Sequence, residues 1–159
     1  MPEILSVLGK DIRPPASSTS QTGRRGERLA AEFLESNGYR LVLSNFKVPI
    51  GRNRRGAAIT GEVDIVAFED DILCFVEVKT RTSDTFAAPL ATVTLRKQRQ
   101  ITRTARVYKR IFRVYGIKHR FDVVSIVMNE NSMPQIDLFR GFWSEHKFRK
   151  RAWSGDVSY

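Results

Sequence analysis

Three side chains in the stretch from Gly61 to Arg81 have the types and spacing to act on a phosphate: Asp64, then a dozen residues, then Glu77 and Lys79 as Glu-x-Lys. The stretch reads as a hairpin, with one strand over Glu62–Phe68, a turn at Glu69-Asp70-Asp71, and a second strand over Ile72–Thr80. Alternation puts Ile72, Cys74, Val76 and Val78 on one face of the second strand and Leu73, Phe75, Glu77 and Lys79 on the other. The same rule sets Asp64 on the opposite face from Val63 and Ile65. Charges in strands this apolar are costly unless paired or bound to a metal. Two carboxylates brought together by the hairpin repel each other, and a divalent cation relieves the repulsion. An ammonium at Lys79 could orient an attacking water, help deprotonate it, or stabilise charge developing on a phosphate. The competing reading is an amphipathic hairpin in which Glu77 and Lys79 form a solvated pair.

The elements that would position these groups follow from periodicity and punctuation. A helix is expected over Gly23–Asn37, with Leu29, Ala30, Phe33 and Leu34 as its apolar stripe and Gly38 as its stop. Glu27 borders that stripe, either as an acid near the positive end of the helix dipole or as a carboxylate aimed at the metal site. Tyr39–Val48 reads as the first strand. Pro49–Thr60 reads as a mobile loop whose Arg52, Arg54 and Arg55 touch a phosphate backbone or are simply solvated. After the hairpin, Thr82–Pro89 is a polar connection.

A long helix is expected over Thr92–Tyr115, ended by Gly116. Ile101, Ala105, Tyr108 and Phe112 fall on one side of it. Arg96, Arg99, Arg103, Arg106, Arg110 and Arg113 follow three-four spacing on nearly the opposite side, with no acid between them. Solvated helix faces normally mix signs, so this unpaired ridge points to nucleic acid. Lys97 lies toward the apolar side, within reach of the active-site region, and joins the basic residues expected at nucleic acid. Arg120–Met128 is an apolar strand in which Asp122 partners a basic residue, and Gln135–Phe142 is a last short strand. The basic, aromatic segment Phe142–Trp153 is either a tail on nucleic acid or a solvated terminus.

The chain of 159 residues suits one domain. Its 27 Lys and Arg against 17 Asp and Glu give +10, which argues for a polyanionic partner, nucleic acid before an anionic membrane surface. No apolar run approaches a bilayer span, and no convincing signal peptide is visible. The single cysteine, Cys74, excludes a disulfide framework and reads as a small core residue, making the cytoplasm the default compartment. His119 and His146 lack a nearby Cys or Ser partner, and neither a Walker lysine loop nor zinc-ligand spacing occurs, which argues against a kinase, a zinc enzyme or a Ser/Cys hydrolase. The chain divides into a flexible extension over 1–22 rich in Pro, Ser and Thr, a folded domain over 23–142, and a tail over 143–159.

The Asp…Glu-x-Lys pattern resembles the signature of the PD-(D/E)xK, or restriction-endonuclease-like, superfamily. Gly23-Arg24-Arg25-Gly26-Glu27, Gly38-Tyr39, Asn45, Gly61-Glu62-Val63-Asp64-Ile65-Val66, Phe75-Val76-Glu77-Val78-Lys79-Thr80-Arg81, Lys97 and Arg120-Phe121-Asp122-Val123-Val124 occur in this order. Together they resemble the YraN-like family of small bacterial proteins, over Gly23–Phe142. The resemblance implies an α/β fold with a restriction-endonuclease-like core, a mixed sheet of about four to five strands flanked by helices. It further implies similarity to archaeal Holliday-junction resolvases. It makes Asp64 and Glu77 ligands of Mg²⁺ or Mn²⁺, adds the Val78 carbonyl and Glu27, and makes Lys79 the catalytic lysine. Arg81, at the end of the most specific run, joins the expected nucleic-acid contacts.

Two features depart from the family pattern: a longer segment between Asn45 and Gly61, and the N-terminal extension. The leading expectation is a metal-dependent DNA endonuclease, acting on branched or repair intermediates. Junction cutting would favour a homodimer, since two symmetric strands must be cut. The alternatives are a non-catalytic nucleic-acid-binding module on the same fold, and a basic protein docking on another complex.

Overall fold

The computed structural model describes residues 18–82 and 93–148. The extension expected over 1–22 lies outside them up to residue 17, as do the tail beyond 148 and nearly all of the Thr82–Pro89 connection.

Helix α1 spans Ser18–Ser36 and begins five residues earlier than expected. Hydroxyl side chains disfavour a helix interior, but the N–H groups of a first turn have no intrahelical partner for them to displace. Gly26, Ala30 and Leu34 recur every four residues as its buried line. Gly38, at φ 86, ends it as expected.

Five strands form one sheet in the order β1-β2-β3-β4-β5. These are β1 Tyr39–Arg52, β2 Ala58–Glu69, β3 Ile72–Thr82, β4 His119–Met128 and β5 Gln135–Trp143. β1 pairs antiparallel with β2 and β2 antiparallel with β3, β3 and β4 pair in parallel, and β4 and β5 pair antiparallel. A parallel pair needs a crossover, and helix α2 (Leu95–Ile111) lies between β3 and β4 in sequence. The fold is therefore α/β, a mixed sheet flanked by two helices, as the resemblance implies.

The two faces of the sheet carry separate cores. Leu73, Phe75, Phe121 and Val123 pack with Ile101, Ala105 and Tyr108 of α2. Cys74, Val76, Val124 and Ile126 pack with Ala30 and Leu34 of α1. The alternation read along β3 is thus the division between the two cores, and Cys74 is fully buried.

Three expectations fail for identifiable reasons. The loop expected over Pro49–Thr60 shrinks to residues 53–57, because β1 and β2 stay paired out to Arg52 opposite Ala58. Pro49 does not end β1, since β1 is an edge strand with no ladder to break on its outer side. The second helix ends at Ile111, capped by Phe112 and well before Gly116: Arg113 takes a left-handed φ of 56, and the Val114 N–H bonds back to the Lys109 carbonyl. Arg113 therefore sits in a turn, off the helical ridge. The segment after 142 is not all tail. Trp143 is buried and donates from Nε1 to Thr102 Oγ1 at 3.0 Å, and a short 3-10 turn, Glu145–Phe148, follows it.

Candidate metal centre

The chemistry-bearing residues meet where two strands part. Strand β2 pairs with β1 along its length but with β3 only from Glu69–Ile72 to Ile65–Val76. Beyond Val76, β3 pairs with β4 out to Thr82. Asp64 is the first residue of β2 past this fork. Its Oδ2 accepts the Val78 N–H at 2.8 Å, so a side chain satisfies a backbone donor that has lost its strand partner. Strict alternation breaks here, contrary to expectation. Val63 packs in the core on the α2 side and Ile65 in the core on the α1 side.

Asn45, between the pairs Ser44–Ile65 and Phe46–Val63, lies across from Asp64 with a left-handed φ of 53. Asn tolerates that conformation better than most residues.

Glu77 follows one residue after the fork and is 2% exposed. Lys79 Nζ stands 3.0 Å from its Oε1 and Lys97 Nζ, from α2, 3.6 Å from its Oε2. Oε2 has no hydrogen-bond partner, since 3.6 Å is an ion-pair distance only. The solvated Glu77–Lys79 pair is thereby excluded, because Glu77 lies inside the protein.

Burial, and next the negative charge of Glu77, push the Asp64 carboxyl well above the usual aspartate range. The Val78 N–H and Lys97 oppose the shift, while Glu27 adds to it. Glu27 thus acts on Asp64 from α1, across a groove of about 780 Å³ lined by both. Arg24, Arg28, Asn45 and Lys47 also line that groove.

Two glycines seat the helices on either side of the fork. A Cβ at Gly26 would fall 1.8 Å from Thr80 Oγ1, so α1 lies directly on β3 beside the site. A Cβ at Gly61 would fall 2.0 Å from Thr104 Oγ1, so α2 lies as close on β2. Both glycines stand in the quoted motifs, and the sequence signals these close approaches only by placing a glycine inside an otherwise regular helix or strand.

Among the described residues no three His, Cys, Asp or Glu side chains stand together as a ready metal cage. Asp64 and Glu77 are nevertheless a donor set that suits a hard divalent cation: two buried carboxyls, one with an oxygen lacking any hydrogen bond, with the charge of Glu77 disfavouring ionisation of Asp64. Glu27 reaches Asp64 electrostatically rather than by contact.

Of the expected nucleic-acid contacts, Arg96, Arg99, Arg103, Arg106 and Arg110 are all exposed on α2, and Arg113 is exposed beyond it. The ridge is not wholly unpaired, however. Arg106 pairs with Glu145, which returns from the 3-10 turn; Arg103 Nη2 donates to the Ile50 carbonyl at 2.6 Å; Arg99 lies over the Phe148 ring. Distant segments supplied the partners that the helix's own sequence lacks. Arg54 and Arg55 are exposed between β1 and β2, Arg52 donates to the Gly56 carbonyl, and Arg81 is half-buried on β3. Lys97 belongs to the carboxylate site rather than to the ridge.

Asp122 has the structural role expected of it. Fully buried, it accepts from Arg120 Nε at 2.7 Å, from Tyr39 OH at 3.2 Å and from the Gly141 N–H at 2.9 Å. Arg120 also pairs with Glu69, which Arg140 holds from its other side.

Comparison with known proteins adds a family. Residues 26–126 match the model described as "Uncharacterised protein family UPF0102". A UPF0102 protein of Desulfosudis oleivorans is 38% identical over 116 residues, covering 73% of this chain and 86% of the relative. Those of Clostridium perfringens and Chlorobium limicola are each 40% identical, over 65% and 78% of this chain and 77% and 86% of theirs. Among solved structures, "Crystal structure of SSO0001" aligns with 83% of this chain and 56% of its own, at 13% identity and a TM-score of 0.38, a likeness too slight to argue from.

Proposed function

The chain belongs to the UPF0102 family, and we propose that it is a cytoplasmic, divalent-metal-dependent DNA endonuclease of the PD-(D/E)xK type, acting on branched or repair intermediates. The observation that carries this reading is the pair of buried carboxyls at the fork, Asp64 and Glu77, with Glu77 Oε2 lacking a hydrogen bond. Asp64 and Glu77 would hold Mg²⁺ or Mn²⁺, with the Val78 carbonyl and Glu27 as further oxygen donors. Bound there, the cation supplies polarisation of a phosphodiester and a lowered pKa for a water. Lys79 presents its ammonium beside Glu77, where it orients the attacking water or neutralises charge developing on the phosphate. Arginines of α2 hold the DNA backbone without regard to sequence, with an affinity that falls steeply in salt. Among the described residues no helix is long and apolar enough to cross a membrane.

The test is cleavage of labelled single-stranded, duplex, flap and four-way-junction DNA in Mg²⁺ or Mn²⁺, with Glu77→Ala and Lys79→Ala beside the wild type. Cutting that both variants lose supports the enzyme, and the preferred substrate separates a junction resolvase, which would act as a homodimer, from a general nuclease. Equal cutting by all three chains points to a contaminant. One observation favours a second reading, a non-catalytic nucleic-acid-binding protein: Lys79 and Lys97 already neutralise Glu77 without a metal. Salt-sensitive DNA binding by all three chains, with no cutting by any, would select it.

A further inference from the structure

The β1–β2 hairpin continues past the fork as a two-stranded arm, paired from Phe46–Val63 to Arg52–Ala58. It is braced rather than loose. Arg103 Nη2 of α2 donates to the Ile50 carbonyl, and Gln100 Nε2 donates to the Thr60 carbonyl at 2.8 Å. Gly61 lets α2 close against the arm's base.

The turn at its end is also fixed. Asn53 Oδ1 accepts the N–H groups of Arg55 and Ala57 at 2.9 and 3.0 Å, and the Asn53 N–H donates to the Ala57 carbonyl at 2.9 Å. Arg52, itself exposed, closes the turn by donating to the Gly56 carbonyl at 2.7 Å, and Arg54 and Arg55 stand exposed at its end. No acid occurs from Val48 to Gly61.

From these observations we propose that the arm is a ribbon that lies along duplex DNA flanking the reacting phosphate, with Arg54 and Arg55 on its backbone. A two-stranded ribbon fits the major groove of a duplex. A rigid, acid-free arm presenting guanidinium groups suits phosphate oxygens. At about 3.3 Å per residue, Ala58 stands about 20 Å along β2 from Asp64. That reach corresponds to about six base pairs at ~3.4 Å each. Arg103, held by Ile50, fixes the arm to the helix and makes arm and ridge one surface. The inference deepens the nuclease reading by naming its substrate as double-stranded beside the cut.

The test is equilibrium binding in EDTA, so that no cutting intervenes. The full chain and an Arg54→Ala/Arg55→Ala variant are titrated with a duplex of about 20 base pairs, and with a single strand of the same length, over a range of salt. Both side chains are exposed, so the variant should melt with the wild type, which confirms that it is folded. On duplex its slope of log affinity against log salt should be shallower by about 1.8, ~0.9 for each lost phosphate contact, with the single-strand slope unchanged. An equal loss on the single strand overturns the duplex assignment. An unchanged slope on duplex overturns the contact and leaves the arm for an acidic protein partner. The outcome is independent of the nuclease reading, which fails if a chain that binds in this way never cuts in Mg²⁺ or Mn²⁺.

Discussion

Gly26→Ala should do more harm than its place in a helix suggests. In a helix that only touches solvent, the change stabilises by about 1 kcal/mol, because alanine loses less backbone entropy. Here the new methyl group would stand 1.8 Å from Thr80 Oγ1 and 2.9 Å from Thr80 Cβ, where ordinary contact begins at 3.4 Å. Helix α1 must retreat from β3 by about 1.6 Å, or Thr80 must give way. Overpacking of this kind costs about 1–3 kcal/mol. Set against the helix gain, the net loss is about 0–2 kcal/mol, or up to ~8 °C in melting temperature for a chain of this size. The retreat also carries Glu27 away from Asp64, and a misplacement of about 1 Å can lower activity ~100-fold. Thermal melting measures the first effect and cleavage in Mg²⁺ the second. Thr80→Ala removes Oγ1 and Cγ2, so the double variant should melt above Gly26→Ala by more than Thr80→Ala alone predicts. Additive losses, or a Gly26→Ala chain that melts above the wild type by the full helix gain of about 1 kcal/mol, would refute the argument that this glycine seats the helix.

Asp64→Asn should stabilise the metal-free protein at neutral pH. The folded protein raises the Asp64 pKa, so its contribution to stability is fully present below the ordinary value of 3.8 and is lost as pH rises through the raised value. The metal-free wild type should therefore melt progressively lower, relative to Asp64→Asn, from about pH 4 through neutrality. The amide still accepts the Val78 N–H but cannot ionise. The same variant should lose the melting rise that Mg²⁺ or Mn²⁺ gives the wild type; parallel pH curves, or an undiminished metal response, would count against the site. Arg120→Ala strands the fully buried Asp122 without a cation, held by neutral donors such as Tyr39 OH and the Gly141 N–H, and should lower unfolding free energy in urea by about 3–5 kcal/mol. A loss below about 1 kcal/mol would mean that water reaches Asp122 and the network is not a buried one.

What the sequence made legible was what alternation and helical period encode. The division of Leu73 and Phe75 from Cys74 and Val76 is the division between the two cores, and Lys97 does reach the Glu77 side of the sheet. What it concealed were effects of neighbours. Pro49 looks like a strand end until β1 is known to be an edge strand. Gly116 looks like a helix stop until Arg113 takes the left-handed turn ahead of it. The arginine ridge looks unpaired because Glu145 and the Ile50 carbonyl come from distant segments. Gly26 reads as a poor helix former, and its reason, Thr80, lies on a strand 54 positions away.

The fork explains why a carboxylate stands at position 64 whether or not a metal is bound. Where β2 follows β1 and β3 follows β4, the Val78 N–H loses its strand partner inside the protein, and an unpaired buried donor costs about 1–3 kcal/mol. A side-chain oxygen one residue past the last β2–β3 pair is well placed to replace the missing carbonyl, and Asp64 Oδ2 does so at 2.8 Å. An asparagine could do that equally well, and would avoid the repulsion from Glu77 that an aspartate incurs. The presence of the acid is thus not explained by the fold. The same holds for Glu77, buried with one oxygen that no hydrogen bond reaches, in a strand where a neutral side chain would be easier to bury. Two ionisable groups that the architecture tolerates but does not require are best accounted for by the chemistry they can perform together.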